Sequence, residues 1–342
     1  MLNIKKIFYV VEQIDWSIYW DGNYISNNLK KIYNLPIKIL PVSKRNIAKI
    51  KDQIIHFGSR NTYLPEIYNI VDSSNAVILT WFHGTDSDTV YINLIPKILN
   101  RIDFVHTSCN ISRDNLIRWG FDKEKIVVIP IGVDTSIFKI PSSEEKERIR
   151  QKLGIPEGSI CIGSFQKDGD GWGEGLNPKL IKGPDIFCEV IIELNKKFPV
   201  FVLLTGPARG YVKKRLSESN IKFKHYYLKN YLEIPLYYKA IDYYLISSRA
   251  EGGPKALMES FASGVPVVST DIGMVHDYGV SEVNTLISKV DDAKSLENNL
   301  EWLILDKNLR DKLIQNGLEI VKNFDWKIIA KQYYEKIYSK YF

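Results

Sequence analysis

Cysteine is scarce in this sequence of 342 residues, and long apolar runs are missing from it. The three cysteines, Cys109, Cys161 and Cys188, are scattered and odd in number. They fit neither a disulfide framework nor a metal cluster, so we expect a reducing, cytoplasmic environment. No apolar run reaches the roughly 18 residues that a membrane span needs. The first run, Ile7–Val11, ends at Glu12 without a small-residue cleavage site, which favours a first strand over a signal peptide.

Charge of one sign is also modest, with a formal net charge of +6. A nucleic-acid-binding protein gathers its basic residues into a patch, whereas lysines and carboxylates are interspersed along this chain. We therefore expect no nucleic-acid partner. The small positive excess instead suits anionic ligands such as nucleoside diphosphates or acidic lipid head groups.

Short apolar runs alternate with helical patterns along the chain, which predicts α/β architecture with parallel sheets. The strands predicted in the first part are Ile7–Val11, Ile37–Leu40, Ile54–Phe57, Ala76–Trp81, Phe104–Thr107 and Ile126–Ile129. Those predicted in the second part are Ile160–Ser164, Phe201–Thr205, Phe223–Leu228, Tyr243–Ser247, Val265–Ser269 and Asn284–Ile287. The pattern predicts two successive Rossmann-like domains, residues 1–137 and 138–323, and a terminal helix over 324–342. Near the start of the second domain, Ser142 and Glu145 are spaced as a capping box.

The terminal helix has two interpretations. Its apolar residues, which recur at helical spacing, are Trp326, Ile329, Ala330, Tyr333 and Ile337. The favoured interpretation is that this stripe packs against the first domain. Four lysines lie on or near the other face, so peripheral contact with the inner face of a membrane is the alternative.

One segment of the second domain carries the strongest chemical signal. A strand ends near Ser247 and a loop follows, in which Pro254 suits the first position of a helix because its missing N–H needs no partner there. The backbone amides at the positive end of this helix belong to Gly252, Gly253, Lys255 and Ala256. Such amides form an anion site, and adjacent glycines let a phosphate approach the backbone closely.

Two carboxylates, Glu251 and Glu259, flank this helix start. Carboxylates repel phosphate, so they are better suited to accept hydrogen bonds from sugar or ribose hydroxyls. The alternative is an ordinary strand–loop–helix in which both glutamates are surface charges. The glycines, Pro254 and Lys255 between them favour the binding site.

The segment Glu251–Glu259 resembles the Glu-x7-Glu signature of glycosyltransferase family 4, whose members are retaining enzymes with the GT-B fold. Three further segments resemble the family in the same order: Ile126–Phe138 with Ile131 in place of the usual Asn, Lys182-Gly183 before a helix, and the terminal helix. The resemblance covers nearly the whole chain. It implies two Rossmann-like domains facing each other across a cleft, with the terminal helix returning to the first domain.

The resemblance also implies residue roles. Glu259 would hold the ribose hydroxyls of a nucleotide, Glu251 would contact the transferred sugar, and the amides of Gly253–Ala256 would hold the diphosphate. Lys182 would neutralise the charge that develops as the sugar leaves. His83, after the fourth strand, matches a family histidine that reaches the donor sugar; the alternative is a capping or core histidine. The implied catalytic residues are therefore His83, Lys182 and Glu251, and the implied donor-binding residues are Ser164, Lys167, Gly252, Gly253, Pro254, Lys255, Ala256 and Glu259.

The chain departs from the family pattern in two places. The usual Arg after the first strand of the second domain is absent, and a Gly-rich insertion separates Ser164 from Lys182. Lys167 is the expected substitute, with Lys179 as the alternative, although an ammonium does not reproduce a bidentate guanidinium. The family's Gly-rich loop after the first strand is replaced by Glu12–Tyr24.

The aromatic residues in these two departures each have two interpretations. Those within Glu12–Tyr24 form either a sugar-acceptor surface or packing against the sheet. Trp172, in the Gly-rich insertion, has the same alternatives.

The expected function is transfer of a hexosyl group, with retention, from a nucleoside-diphosphate sugar to a hydroxyl of a carbohydrate or lipid-linked acceptor. Such transfer belongs to the synthesis of cell-surface polysaccharide, lipid or glycoconjugate. No Asp-x-Asp motif lies in a plausible site, and neither a metal nor another cofactor is expected. The alternatives are another GT-B enzyme, such as a sugar phosphorylase or nucleotide-sugar epimerase, and a non-catalytic nucleotide- or carbohydrate-binding protein.

Overall fold

The chain divides into two compact units in a computed structural model that describes residues 5–342. The first unit comprises the chain up to Gly132 together with Asn323–Phe342, and the second is Val133–Lys322. The segment 133–137, which we had assigned to the first domain, belongs to the second unit. The neighbouring Phe138 is fully buried and packs edge-on against Tyr238 at 5.6 Å, which ties this segment to the second unit.

The first unit is built on a six-stranded parallel sheet with the order β2-β1-β3-β4-β5-β6. Its strands are β1 (Ile7–Val11), β2 (Ile37–Pro41), β3 (Ile54–Phe57), β4 (Ala76–Thr80), β5 (Phe104–Thr107) and β6 (Ile126–Val128). Its helices in the part of the chain up to Gly132 are α1 (Ser17–Tyr33), α2 (Lys44–Ile47), α3 (Thr89–Ile92), α4 (Ile95–Ile98) and α5 (Asn110–Arg118). Every residue of β3, β4 and β5 is buried, as expected for parallel strands covered on both faces.

The second unit has a six-stranded parallel sheet with the order β12-β11-β10-β7-β8-β9. Its strands are β7 (Ile160–Phe165), β8 (Val200–Thr205), β9 (Lys222–Tyr226), β10 (Tyr243–Ile246), β11 (Val267–Thr270) and β12 (Leu286–Ser288). Its helices are α6 (Ser143–Lys152), α7 (Pro184–Asn195), α8 (Gly210–Glu218), α9 (Ile234–Tyr238), α10 (Lys255–Ala262), α11 (Gly273–Tyr278), α12 (Ala293–Leu305) and α13 (Lys307–Val321). The chain order reverses between β7 and β10, which makes that pair the topological switch point of the sheet.

The capping box predicted at α6 begins with Ser142. The Ser142 hydroxyl accepts a hydrogen bond from the Glu145 amide at 3.1 Å, as predicted. The Glu145 carboxylate also pairs with the ammonium of Lys239 at 2.7 Å. Hydrogen bonds from Lys239 and, to a smaller extent, from the Ser142 backbone hold the pKa of Glu145 below its usual value.

The last helix, α14 (Trp326–Lys336), belongs to the first unit and packs against α1. The ring of Trp326 stacks on that of Tyr24 at 5.4 Å, and the stripe residues Ile329 and Tyr333 are buried. The apolar stripe of the terminal helix is therefore used in packing, and contact with a membrane through its lysines stays a prediction. Across residues 5–342, none of the helices combines the length and the hydropathy that crossing a membrane requires.

Candidate active site

The carboxyl ends of β7 and β10 lie side by side at the switch point of the second sheet, where ligands of such sheets bind. Ser164 lies near the end of β7, and Ser247 and Ser248 follow β10. All three are buried. The loops that leave these two strands carry Lys167, Lys182, Glu251, Gly252, Gly253 and Pro254. Ser164 lies within β7, Lys255, Ala256 and Glu259 lie within α10, and His83 belongs to the other unit.

Lys182 is held beside the end of β10 by an unusually close backbone approach. The next residue, Gly183, has a φ of +61° and caps the start of α7. A Cβ added there would lie 1.9 Å from the carbonyl oxygen of Ser247. The Ser247 hydroxyl also donates to the Gly183 carbonyl at 2.8 Å. Only glycine fits both this conformation and this contact, so the Lys-Gly pair has a definite structural cause.

Two predicted catalytic residues meet at this point: the Lys182 ammonium forms an ion pair with Oε1 of Glu251. The Ser248 hydroxyl donates to the same carboxylate oxygen at 3.1 Å. Both charged side chains are largely buried, with 22% and 12% of their surface exposed. A charge pair in such surroundings is screened less by salt than one on the surface.

Arg249, which the sequence analysis did not single out, joins the two sides of this site. Its guanidinium makes a bidentate pair with the Asp185 carboxylate at 2.8 and 2.7 Å, and its Nε lies 2.6 Å from Asp291. Burial alone would raise the pKa of Asp185, but the hydrogen bonds from Arg249 hold it below the usual value. The start of α7 is thereby tied to the loop after β10.

The loop that contains Gly252 and Gly253 is held by a hydrogen bond from the first turn of α11. The Met274 amide donates to the Gly252 carbonyl at 3.0 Å, and a Cβ at Gly273 would lie 2.4 Å from that same oxygen. α10 begins at Lys255 with Pro254 as its N-cap, so the helix starts one residue later than predicted. Proline has no side-chain acceptor for the first-turn amides, which therefore suit an anionic ligand.

The second glutamate of the motif, Glu259, is only 6% exposed. Oε1 accepts a hydrogen bond from the hydroxyl of Tyr231 at 2.6 Å, and Oε2 accepts one from Tyr238 at 2.8 Å. Neither tyrosine was predicted, since both lie more than 20 residues away in the sequence. The Lys255 ammonium lies 5.3 Å from the centre of the Tyr231 ring.

The Gly-rich insertion presents Lys167 beneath an exposed indole. The ammonium lies 3.7 Å from the centre of the Trp172 ring, and Trp172 is 63% exposed. Partial burial, together with the charge of Lys179, lowers the pKa of Lys167. Trp172 therefore does not pack against the sheet.

The base of the same insertion rests on an arginine that the sequence analysis missed. Arg209 is 1% exposed, and its Nη1 donates to the carbonyl groups of Ser164, Gln166 and Thr205 at 2.7, 3.0 and 2.8 Å. Its Nε lies 2.9 Å from the carboxylate of the equally buried Asp168. No local sequence pattern connects residues 168 and 209, and only the β7–β8 pairing brings them together.

His83 belongs to the other unit and is exposed in the loop after β4. The structure therefore does not make it a core histidine. Along the neighbouring segment Glu12–Tyr24, Trp20 and Asp21 are buried at the start of α1, and Tyr24 stacks on the terminal helix. For these residues the packing interpretation is the one observed.

A metal site and an enclosed cavity are the two other kinds of site to consider. Among residues 5–342, no group of three or more His, Cys, Asp or Glu side chains is arranged to hold a metal ion. A cavity of about 500 Å³ in the second unit is lined by Thr135, Phe138, Lys139, Ile140, Ala262, Leu318, Val321 and Lys322. It contains none of the predicted site residues, so the candidate site is a separate, open surface at the strand ends.

Two Rossmann-like units with this site at the second switch point define a transferase of the GT-B fold. The family model for glycosyl transferases group 1 matches residues 176–320, and that for Glycosyltransferase Family 4 matches residues 23–137. The chain belongs to glycosyltransferase family 4. The predicted fold class and family are thus confirmed.

Two curated relatives are similar over part of the chain. The lipopolysaccharide core biosynthesis mannosyltransferase LpsB of Rhizobium meliloti is 27% identical over 208 residues, which cover 58% of this chain and 56% of LpsB. An Escherichia coli UDP-Gal:alpha-D-GlcNAc-diphosphoundecaprenol alpha-1,3-galactosyltransferase is 30% identical over 220 residues, covering 60% and 53%. The matched part of the chain spans about half the length of each relative.

The fold extends over the whole chain in a solved structure. A crystal structure of Anabaena HepE in complex with UDP and glucose superposes with a TM-score of 0.80 over 98% of this chain and 100% of HepE. The sequence identity is 17%, so this likeness shows the fold alone.

Proposed function

We propose that this chain is a retaining glycosyltransferase that moves a hexosyl group from a nucleoside-diphosphate sugar to an acceptor hydroxyl, without a metal ion or other cofactor. The observation that carries the proposal is the arrangement at the second switch point. There the start of α10, whose N-cap Pro254 supplies no side-chain hydrogen bond, lies between a lysine–glutamate pair, Lys182 and Glu251, and a carboxylate held by two tyrosines, Glu259.

The donor is bound, in this proposal, along α10. The diphosphate accepts hydrogen bonds from the amides at the start of α10, where the helix dipole favours negative charge. The ribose hydroxyls donate to Glu259, four residues into that helix. A carboxylate is a poor neighbour for phosphate and a good one for a diol, which orients the nucleotide with its ribose toward Glu259 and its diphosphate toward Lys255.

Lys182 acts on the leaving group. The bond between the anomeric carbon and the diphosphate oxygen breaks, and the electron pair stays on the diphosphate. The ammonium and the helix-start amides stabilise that developing charge, which is the largest single contribution available to a site of this type. Glu251 holds the ammonium in place before the donor arrives, and its carboxylate then accepts hydrogen bonds from the transferred sugar. The acceptor oxygen bonds to the anomeric carbon from the same face, which retains the anomeric configuration, and its proton passes to the departing diphosphate oxygen.

The partners proposed are a nucleotide sugar and a carbohydrate or lipid-linked acceptor. The relatives support this range: HepE has been solved with UDP and glucose, and the E. coli relative is named for a diphosphoundecaprenol-linked substrate. A cytoplasmic location stays a prediction from cysteine usage. All three cysteines are free and buried.

The test is release of nucleoside diphosphate from a panel of UDP-, GDP- and ADP-sugars with candidate acceptors, together with the anomeric configuration of the product by NMR. The proposal predicts acceptor-dependent nucleotide release and a retained anomer. Release of sugar 1-phosphate would indicate a phosphorylase, an isomerised donor would indicate an epimerase, and binding without turnover would indicate a non-catalytic protein. Lys196→Ala, at an exposed lysine paired with Glu193, is a matched control for Lys182→Ala.

A further inference from the structure

The carboxylate of Glu259 is fixed from two separate elements. Tyr231 lies in the short 3₁₀ turn Tyr231–Glu233, and Tyr238 is the last residue of α9. Each donates to a different carboxylate oxygen. A carboxylate held at both oxygens cannot rotate freely about its terminal torsion, which is otherwise broad.

Tyr238 is itself immobilised by rings on several sides. It is 1% exposed, meets Phe138 at 5.6 Å and Phe165 at 4.9 Å in edge-on contacts, and stacks on Tyr244 at 5.6 Å. The Tyr244 hydroxyl in turn accepts the Phe165 amide at 2.8 Å. The position of the Tyr238 hydroxyl is thereby set by the end of β7, so the same packing that shapes the switch point also places the Glu259 carboxylate.

These contacts also suit an ionised glutamate. Hydrogen bonds to a carboxylate are shorter and stronger than those between neutral groups, and the 2.6 Å contact from Tyr231 is in that shorter range. The contact from Tyr238, at 2.8 Å, is of ordinary length. Burial and the charge of Glu259 raise the pKa of Tyr238 well above its usual value. Tyr238 therefore remains a donor at any pH at which the protein would be assayed.

We propose that Tyr231 and Tyr238 are positioning residues that orient the Glu259 carboxylate to receive the vicinal hydroxyls of the donor ribose. The tyrosines bond one to each carboxylate oxygen, which sets the plane of the carboxylate toward the ligand. The inference rests on the proposed function. It makes the two tyrosines determinants of specificity for ribonucleotides over deoxyribonucleotides, because a buried carboxylate without its diol is left poorly satisfied.

The experiment measures the Kd of UDP and of 2′,3′-dideoxy-UDP by calorimetry, with GDP and its dideoxy form in parallel. The proteins are the unmodified chain, Tyr231→Phe, Tyr238→Phe, Glu259→Ala and the control Tyr237→Phe. Tyr237 lies on the same helix, is equally buried and makes its ring contacts with Tyr226 and Phe165. Melting temperatures of all variants report folding.

The expected result is that Tyr231→Phe and Tyr238→Phe each weaken binding of the ribonucleotide about three- to tenfold, while Kd for the dideoxy form is unchanged. Tyr237→Phe should match the unmodified chain with both ligands. With the donor that turns over, the same two variants should raise KM and leave kcat unchanged, as expected for uniform binding.

Three outcomes overturn the inference. If the phenylalanine variants bound the ribonucleotide and its dideoxy form equally more weakly, the site would be generally damaged. If both phenylalanine variants bound the ribonucleotide normally while Glu259→Ala bound it more weakly, Glu259 would bind the ribose without help from the tyrosines. If Glu259→Ala also bound normally, or if the unmodified chain bound neither nucleotide, the proposed donor site itself would be wrong. Should Tyr238→Phe fail to fold, the half-buried Tyr231 gives the same comparison.

Discussion

Arg209 and Asp168 form an ion pair that is completely withdrawn from solvent, with their side chains 0% and 1% exposed and 2.9 Å between Nε and Oδ1. The remaining guanidinium hydrogens bond to backbone carbonyls at the ends of β7 and β8 and to the Ser164 hydroxyl. The pair therefore connects the loop that contains Lys167 and Asp168 to the ends of β7 and β8. An arginine is therefore present near the end of the first strand of this domain, but as a buried support.

Replacing Arg209 tests that support. Arg209→Met leaves the Asp168 carboxylate buried without its counter-charge, and loss of one partner of a buried pair costs about 3–5 kcal/mol of unfolding free energy. We expect a clear drop in the urea midpoint of the second unit. Arg215→Met, on the same helix at a half-buried residue bonded to Tyr211, should change it little. Equal effects of the two substitutions would contradict the assigned role.

Gly183 should not tolerate a side chain. Gly183→Ala combines a positive φ with a Cβ 1.9 Å from the Ser247 carbonyl oxygen, so β10 and the start of α7 must separate. We expect a lower melting temperature and a large loss of kcat, because Lys182 moves with its neighbour. Gly173→Ala, where an added Cβ meets nothing within 4 Å, is the control. A normal kcat in Gly183→Ala would refute this account of the Lys-Gly pair.

Stability should fall as the pH drops from about 6.5 to 4, because His106 is buried between Thr80, Tyr333 and the Ile129 carbonyl. Burial lowers its pKa to about 4. Between the unfolded value of about 6.5 and the folded value, the unfolded chain binds the proton that the folded chain excludes, which destabilises the fold by about 3 kcal/mol at pH 4. Above pH 6.5 this contribution is constant.

The measurement for that prediction is the urea midpoint against pH for the unmodified chain and two variants. His106→Asn should be less stable at pH 7 but lose part of the slope below pH 6.5. His276→Gln, at a half-exposed histidine paired with Asp271, should keep the slope. An unchanged slope in His106→Asn would show that another group, such as the neighbouring buried His56, sets the acid sensitivity.

The two candidate replacements for the family arginine should be separable by kinetics. Lys167 lies two residues after the end of β7, whereas Lys179 follows the insertion and donates its amide to the Asp168 carbonyl at 2.8 Å. We expect Lys167→Ala to lower kcat about a hundredfold, the lower end of the loss for one electrostatic stabiliser, and Lys179→Ala to lower it much less. The reverse order would make Lys179 the diphosphate ligand.

The sheets were predictable because many of their strands are buried along their whole length, as β3, β4, β5 and β8 are. All twelve predicted strands occur in residues 5–342, and β1, β3 and β5 have the predicted bounds. The predicted bounds were wrong where an apolar run is longer than the strand. Val265 and Pro266 were predicted to lie in a strand that begins at Val267. Hydrophobic runs show burial, but only pairing with the neighbouring strand defines an end.

The site was predictable where its residues are local in sequence. The glycines and Pro254 predict the start of α10 to within one residue, and the family resemblance points to the Lys182-Gly183 pair. The supports were not predictable: Arg209, Tyr231 and Tyr238 act on residues 21 to 45 positions away, and such contacts leave no periodic pattern. The same limit explains why the sequence showed an absent arginine after β7 and not the buried one beneath it.

The central claim is that Lys182 stabilises the leaving diphosphate while Glu259 binds the ribose, and steady-state kinetics of two variants with the true donor test it most directly. The account predicts that Lys182→Ala lowers kcat by at least a hundredfold with little change in donor KM. It predicts that Glu259→Ala raises donor KM strongly, while Lys196→Ala behaves like the unmodified chain. Normal turnover by both site variants would contradict the assignment of this site.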